Sequence, residues 1–211
     1  MSNVTVLPKQ GQTFFGGQVP SATAYGQTAA IEGTQMQFAD NVTATGQAAD
    51  GRRSGRGRRC VLVRSTADVT LLPKRVVKWQ SGFRGRRVDG YCNVADEAVA
   101  GVVDPDLGSS GVVKGDLFWL FRGGPCLAKI ALDTTASVIA MDDVLVALTA
   151  VTSGATTAGR VAPWTGLTVT VTQTTDGTQN RRLINRIGRA MSAATSGNTN
   201  GDVLVDLMLD T

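Results

Sequence analysis

Leu117, Phe118, Trp119, Leu120 and Phe121 follow Asp116 with no polar residue among them, and they hold three of the chain's eleven aromatic side chains. Side chains along a strand alternate between its two faces. Leu117, Trp119 and Phe121 therefore share one face, Phe118 and Leu120 share the other, and both faces are apolar. A strand of this kind is buried on both sides. Arg122-Gly123-Gly124-Pro125 comes next. Glycine supplies the left-handed backbone of a tight turn and proline cannot continue a central ladder. A hairpin is expected, with residues 126–130 returning as the partner strand. The core is expected to form around this unit, residues 88–130.

The remaining composition favours strands and turns. Glycine contributes 25 of 211 residues, threonine and valine are abundant, and long runs of Leu, Glu and Lys are missing. The expected fold class is mainly β, a small β-barrel or β-sandwich domain with an extended N-terminal arm and at most one or two short helices. The length fits one domain, or one domain with an appendage.

Several chemistries are excluded by what the chain does not contain. It has no histidine, so Ser-His-Asp triads, Cys-His dyads and His-ligated zinc are absent. Glu32 and Glu97 are its two glutamates, which leaves little for paired-Glu catalysis. Cys60, Cys92 and Cys126 form no CxxC pair, and an odd, wide spacing argues against a disulfide framework or a zinc ribbon. They are expected to be small buried hydrophobes in a reducing compartment. Asp104 and Asp106 have DxD spacing, but Leu107 and Gly108 break the calcium-loop pattern. No GxxxxGK[ST] occurs. The expectation is a protein that is not an enzyme, with no catalytic residues, no cofactor and no metal. The first residues, MSNVTVLPKQGQ, lack a basic n-region and an apolar h-region, and no apolar run approaches the ~20 residues of a membrane helix. Assembly in a cytosol-like space is expected.

Charge divides the chain. Residues 1–50 hold one basic residue, Lys9, and seven of the ten glutamines, with no apolar period of 2.0 or 3.6. Such a stretch cannot bury enough surface alone to offset its ordering entropy. It reads as an extended arm that orders on a neighbour; the alternative is loops and short edge strands on the main domain. Residues 51–87 form a basic loop-and-strand segment. From Arg52 to Arg87 it carries twelve Lys or Arg against one acid, Asp68, for a net charge of +11. Arg52, Arg53, Arg56, Arg58 and Arg59 are spaced by glycine and serine and are expected to be exposed; Arg84, Arg86 and Arg87 lie on a second basic turn. Both groups are candidate partner-binding residues, suited to an acidic protein surface or to phosphate. No aromatic residue is interleaved with the first group, which weakens a single-stranded RNA reading.

Residues 88–211 form the expected barrel-like domain. Within and before it, residues 60–64 read as a strand, and residues 69–79 as two short apolar runs split by Pro73. Residues 95–98 suit a turn before a strand at 99–103, and residues 104–111 are loop chemistry. Residues 142–151 and 166–172 alternate as strands. Residues 179–192 read as the one short helix, or as a strand over 182–187 followed by a bulge at Gly188. Residues 202–209, with Val203, Val205, Leu207 and Leu209 on one face, read as a terminal strand that closes a sheet or barrel.

The order of these motifs carries a resemblance. Residues 95–103, ending in Gly-Val-Val, precede Lys114-Gly115-Asp116 and the apolar unit. Ile187-Gly188-Arg189-Ala190-Met191-Ser192-Ala193 and the terminal Asp-Val-Leu-Val-Asp-Leu strand follow. The pattern, spread over roughly residues 88–211, resembles the head decoration, or capsid cement, proteins of tailed bacteriophages. The resemblance implies a small β-barrel, often trimeric, bound to the major capsid protein on the outside of the shell. It implies a virion protein made in the host bacterial cytoplasm, with no membrane partner and no catalytic residues. The arm and the basic segment lie outside the resemblance, and their docking role is read from composition. Nucleic-acid binding through residues 52–87 is the alternative function.

Overall fold

The computed structural model describes residues 11, 13, 31–38, 57–92, 99–130, 139–147, 158–163, 186–194 and 201–209. These residues are all-β, and no helix occurs among them. The strands are β1 (Gln35–Phe38), β2 (Arg58–Ser65), β3 (Val76–Trp79), β4 (Arg87–Tyr91), β5 (Val99–Val103), β6 (Leu117–Lys129), β7 (Val144–Ala147), β8 (Val161–Pro163), β9 (Arg186–Ala190) and β10 (Asp202–Met208).

Hydrogen-bonded pairing makes one sheet of order β1-β2-β4-β3-β5-β6-β10-β9-β7-β8, with a further pairing of β2 to β6. That extra pairing matters. It turns β2, β4, β3, β5 and β6 into a closed circuit in which only β2–β4 is parallel. The second half of β6 leaves this ring and pairs with β10, which leads on to β9, β7 and β8. A parallel bridge from Ile130 to Val161 brings β8 back to the end of β6. One strand thus serves two curved layers.

The alternation of β6 explains why it holds this place. Phe118 and Leu120 face an inner cluster with Val61, Val63, Val77, Trp79 and Val88. Trp119, Phe121, Cys126 and Ile130 face a larger cluster with Leu62, Leu145, Ile187 and Val205. Residues 117–121 are all fully buried. The expectation of burial on both faces holds.

The expected hairpin does not. β6 runs unbroken through Arg122-Gly-Gly-Pro125. Three local features let it pass. Arg122 is the extra residue of a bulge, since the β2 register steps from Cys60↔Phe121 to Arg59↔Gly123. Gly124 takes φ +80, and a Cβ there would meet the Gly57 carbonyl oxygen at 2.5 Å. Pro125 lies opposite Asp206. Leu209 donates to the Arg122 carbonyl, so Leu207–Gly124 and Val205–Cys126 are the pairs that exchange hydrogen bonds. Pro125 falls between them, its missing N–H is not needed by β10, and β2 has already ended on the other side. Glycine and proline here mark a change of partner strand.

The helix expected over residues 179–192 is also replaced. Residues 186–190 are strand β9, held between β10 and β7; residues 179–185 lie outside the described set. The strand alternative is nearer, with the irregularity one residue earlier. The β7 register steps from Leu145↔Gly188 to Val146↔Arg186, which leaves Ile187 as the extra residue. A Cβ on Gly188 would collide with the Asp206 carbonyl, so this close approach to β10 requires glycine.

Other expectations fall into place. Residues 60–64 lie in β2, residues 99–103 are β5, and the terminal strand sits between β6 and β9 with Val203, Val205, Leu207 and Leu209 buried. All three cysteines are free and buried; burial pushes the Cys60 and Cys126 thiols far up, so neither is ionised at neutral pH. Residues 166–172 lie outside the described set.

Residues 31–38 are part of the barrel. Ile31 and Phe38 pack against the larger cluster, and the Phe38 ring meets Trp119 edge-on at 5.3 Å. For these residues the edge-strand alternative is the observed one. Strand β4, Arg87–Tyr91, bridges the expected boundary at residue 88, and the closed circuit draws strands from both sides of it.

Candidate partner-docking surface

Among the described residues of the basic segment, the exposed arginines lie at opposite ends of β2, Arg84 and Arg86 at one end and Arg59 at the other. The first patch is the turn from β3 to β4. Gln80 donates to the Arg87 carbonyl at 2.9 Å, and Phe83 donates back to the Gln80 carbonyl at 3.0 Å. Arg86 donates to the Phe83 carbonyl at 3.0 Å. The turn pushes Phe83, Arg84 and Arg86 into solvent. The Arg87 guanidinium lies 4.4 Å over the Phe83 ring, a cation–π contact that fixes the exposed aromatic.

At the root of this turn sits Glu32. Its carboxylate accepts from Arg64 Nε at 2.5 Å and Arg87 Nε at 3.0 Å, with Arg86 Nε at 4.0 Å. Arg64 is wholly buried and also donates to the Gly115 carbonyl at 2.6 Å. One carboxylate therefore balances an arginine inside the barrel and anchors the turn that carries the exposed ones. Composition marks Glu32 only as one of two glutamates. Its partners stand 32 and 55 positions away, and nothing local reveals them.

The second patch lies at the start of β2. Arg59 is exposed beside the short strand β1, opposite Gln37. Gln35, Met36, Gln37, Arg59, Val61 and Arg122 line a groove of about 250 Å³. The Arg122 guanidinium stands 5.5 Å over the Trp79 ring. Arg58 departs from the exposed-loop expectation. It is buried, lies 5.8 Å over Phe121 and pairs with Asp106 at 3.4 Å. It anchors the strand instead of facing a partner. Arg52, Arg53 and Arg56 lie outside the described residues.

Arg59 and Arg64 are five residues apart along β2, roughly 17 Å at strand rise. That exceeds the ~8 Å screening length of physiological salt. The two patches are electrostatically independent of each other.

A third charged site faces inward. Asp104 is buried in the turn after β5, and its carboxylate accepts from Gly11 N at 2.7 Å and Asp106 N at 3.0 Å. Burial raises its pKa to about 6, against the opposing effect of these two hydrogen bonds and of Arg58. Among the described residues no group of three or more His, Cys, Asp or Glu could hold a metal ion. Comparison with protein-family models, with curated proteins and with solved structures finds no match.

Proposed function

We propose that this chain is a structural virion protein, a head decoration subunit of a tailed bacteriophage. It binds the major capsid protein on the outer surface of the shell and cements neighbouring subunits, as a homotrimer and without catalysis. One observation carries the reading. The segments that bear the resemblance are spread over about a hundred residues of sequence, yet they supply β5, the entry to β6, β9 and β10. These strands are consecutive neighbours in the sheet, in the order β5-β6-β10-β9. That adjacency supports reading the four motifs as parts of one tertiary unit. The basic turn with Arg84, Arg86 and Arg87, and the groove at Arg59, supply charged contacts suited to an acidic shell surface. Such contacts set encounter rate and register more than raw affinity, and several on one oligomer combine through effective concentration. The test is co-sedimentation with expanded, undecorated shells. The chain binds, and Arg84→Glu with Arg86→Glu weakens binding in a salt-dependent way. Absence of binding by the wild-type chain refutes the reading. Light scattering that gives a 22.0 kDa particle refutes the trimer.

A second reading has one feature in its favour. Phe83 is 39% exposed and flanked by Arg84 and Arg86, which supplies a stacking ring beside cations as nucleic-acid binders use. Duplex DNA binding whose affinity falls steeply with salt, by a slope of about 0.9 per neutralised phosphate, selects this reading over the first.

A further inference from the structure

The N-terminal segment meets the barrel at a buried carboxylate. Asp104 has no exposed surface. Its Oδ2 accepts from Gly11 N at 2.7 Å, across 93 positions of sequence, and its Oδ1 accepts from Asp106 N at 3.0 Å. Gly11 takes φ +78, and a Cβ there would meet the Asp106 carbonyl oxygen at 2.9 Å. Glycine alone holds this left-handed backbone so close to the turn without strain.

Few charged or titratable groups surround this carboxylate. Arg58 of β2, paired with Asp106 at 3.4 Å, favours its ionised form, and the Asp106 charge opposes it. Cys60 of β2 and Cys126 of β6 lie near, and burial keeps both thiols protonated at neutral pH. Burial is also the largest influence on Asp104 itself and raises its pKa to about 6.

We propose that Gly11 and Asp104 form a pH-sensitive clasp, which holds the N-terminal segment to the turn after β5 more tightly in acid than near neutrality. Gly11 is the cover of the clasp. When it lifts, water reaches Oδ2 and replaces the one hydrogen bond that Gly11 supplied. The desolvation that opposes ionisation is then relieved, and the carboxyl returns toward its ordinary range. The closed clasp therefore binds a proton more tightly than the open one. Its extra hold is complete below the ordinary carboxylate range and is lost as pH rises through about 6.

The test is NMR on the full-length chain. Amide-exchange protection of Gly11 is compared at about pH 4 and about pH 7, with Trp119 as the core reference. The expected fall for Gly11 is about a hundredfold, the linkage of a carboxyl raised from its ordinary range to about 6. Trp119 stays better protected than Gly11 at both pH values, which marks local release and not global unfolding. Gly11→Ala forces the clasp open, so a carbon-13 titration of the Asp104 carboxyl falls back to the ordinary range in this variant. Asp104→Asn cannot titrate, and its Gly11 protection is the same at both pH values. Wild-type protection that is flat or rises with pH, exchange of Gly11 only together with Trp119, an Asp104 titration unmoved by Gly11→Ala, or undiminished pH dependence in Asp104→Asn overturns the proposal. Should a variant fail to fold, the wild-type comparison decides alone.

Discussion

Replacing Glu32 by glutamine keeps the size of the side chain and removes its charge. The wild-type carboxylate holds Arg64 at 2.5 Å and Arg87 at 3.0 Å. The Arg64 side chain has no exposed surface, and that of Arg87 is 19% exposed. A glutamine can accept one of the two N–H groups and must turn its own N–H₂ toward the other. Arg64, a buried cation, then loses the carboxylate that its Nε meets. Breaking a buried pair from one side costs about 3–5 kcal/mol. The whole stability of a domain is roughly 5–15 kcal/mol, so Glu32→Gln removes a large part of it. The reverse substitution offers the control. Arg64→Met with Glu32→Gln removes both charges, and such double replacement is close to neutral in other buried pairs. The assay is urea denaturation of wild type, both single variants and the double, followed by the fluorescence of buried Trp119 and Trp79. The expected result is a double variant more stable than Glu32→Gln alone. A loss below about 1 kcal/mol for Glu32→Gln, or additive single effects, refutes the claim that one carboxylate holds this end of the barrel. The same reasoning separates two truncations. Removing residues 2–30 keeps Glu32 and β1, whereas removing residues 2–50 takes both and strips Arg64 of the Glu32 carboxylate.

Trp119 is fully buried between Phe38 and the larger cluster, and Trp119→Ala lowers stability by about 3–5 kcal/mol in the same denaturation assay. Gly188→Ala drives a methyl group into the Asp206 carbonyl and costs about 1–3 kcal/mol, with amide exchange accelerating first in β9 and β10. Asp104 has a folded pKa raised to about 6 by burial, so its contribution to stability is greatest in acid and is lost as pH rises through about 6. The stability of wild type relative to Asp104→Asn falls between pH 4 and pH 7 by up to about 3 kcal/mol, and a flat difference refutes the assignment.

Local pattern carried a good deal of this protein. The alternation of residues 117–121 fixed a strand with two buried faces, because period-two side-chain direction is a property of the strand itself. The same held for residues 60–64, 99–103 and 202–209, each too short and too regular in its apolar spacing to be anything else. The missing histidines settled which chemistries were excluded before any fold was known. What tertiary structure decided was where strands change partner and which charges meet. Gly124 and Pro125 look alike whether a strand turns back or runs on. The outcome depended on Pro125 falling between bonded pairs of β10, and β10 lies some eighty residues downstream. Residues 186–190 have a composition that helix and strand both accept, and only the close pass of Asp206 over Gly188 selected the strand. Glu32 sat in a stretch without periodicity, and its role came from Arg64 and Arg87. The +11 segment was legible as charge, but which of its arginines face solvent was not. Charge is a sum over sequence, whereas the direction of Arg58 inward and Arg59 outward is fixed by which side of β2 each occupies.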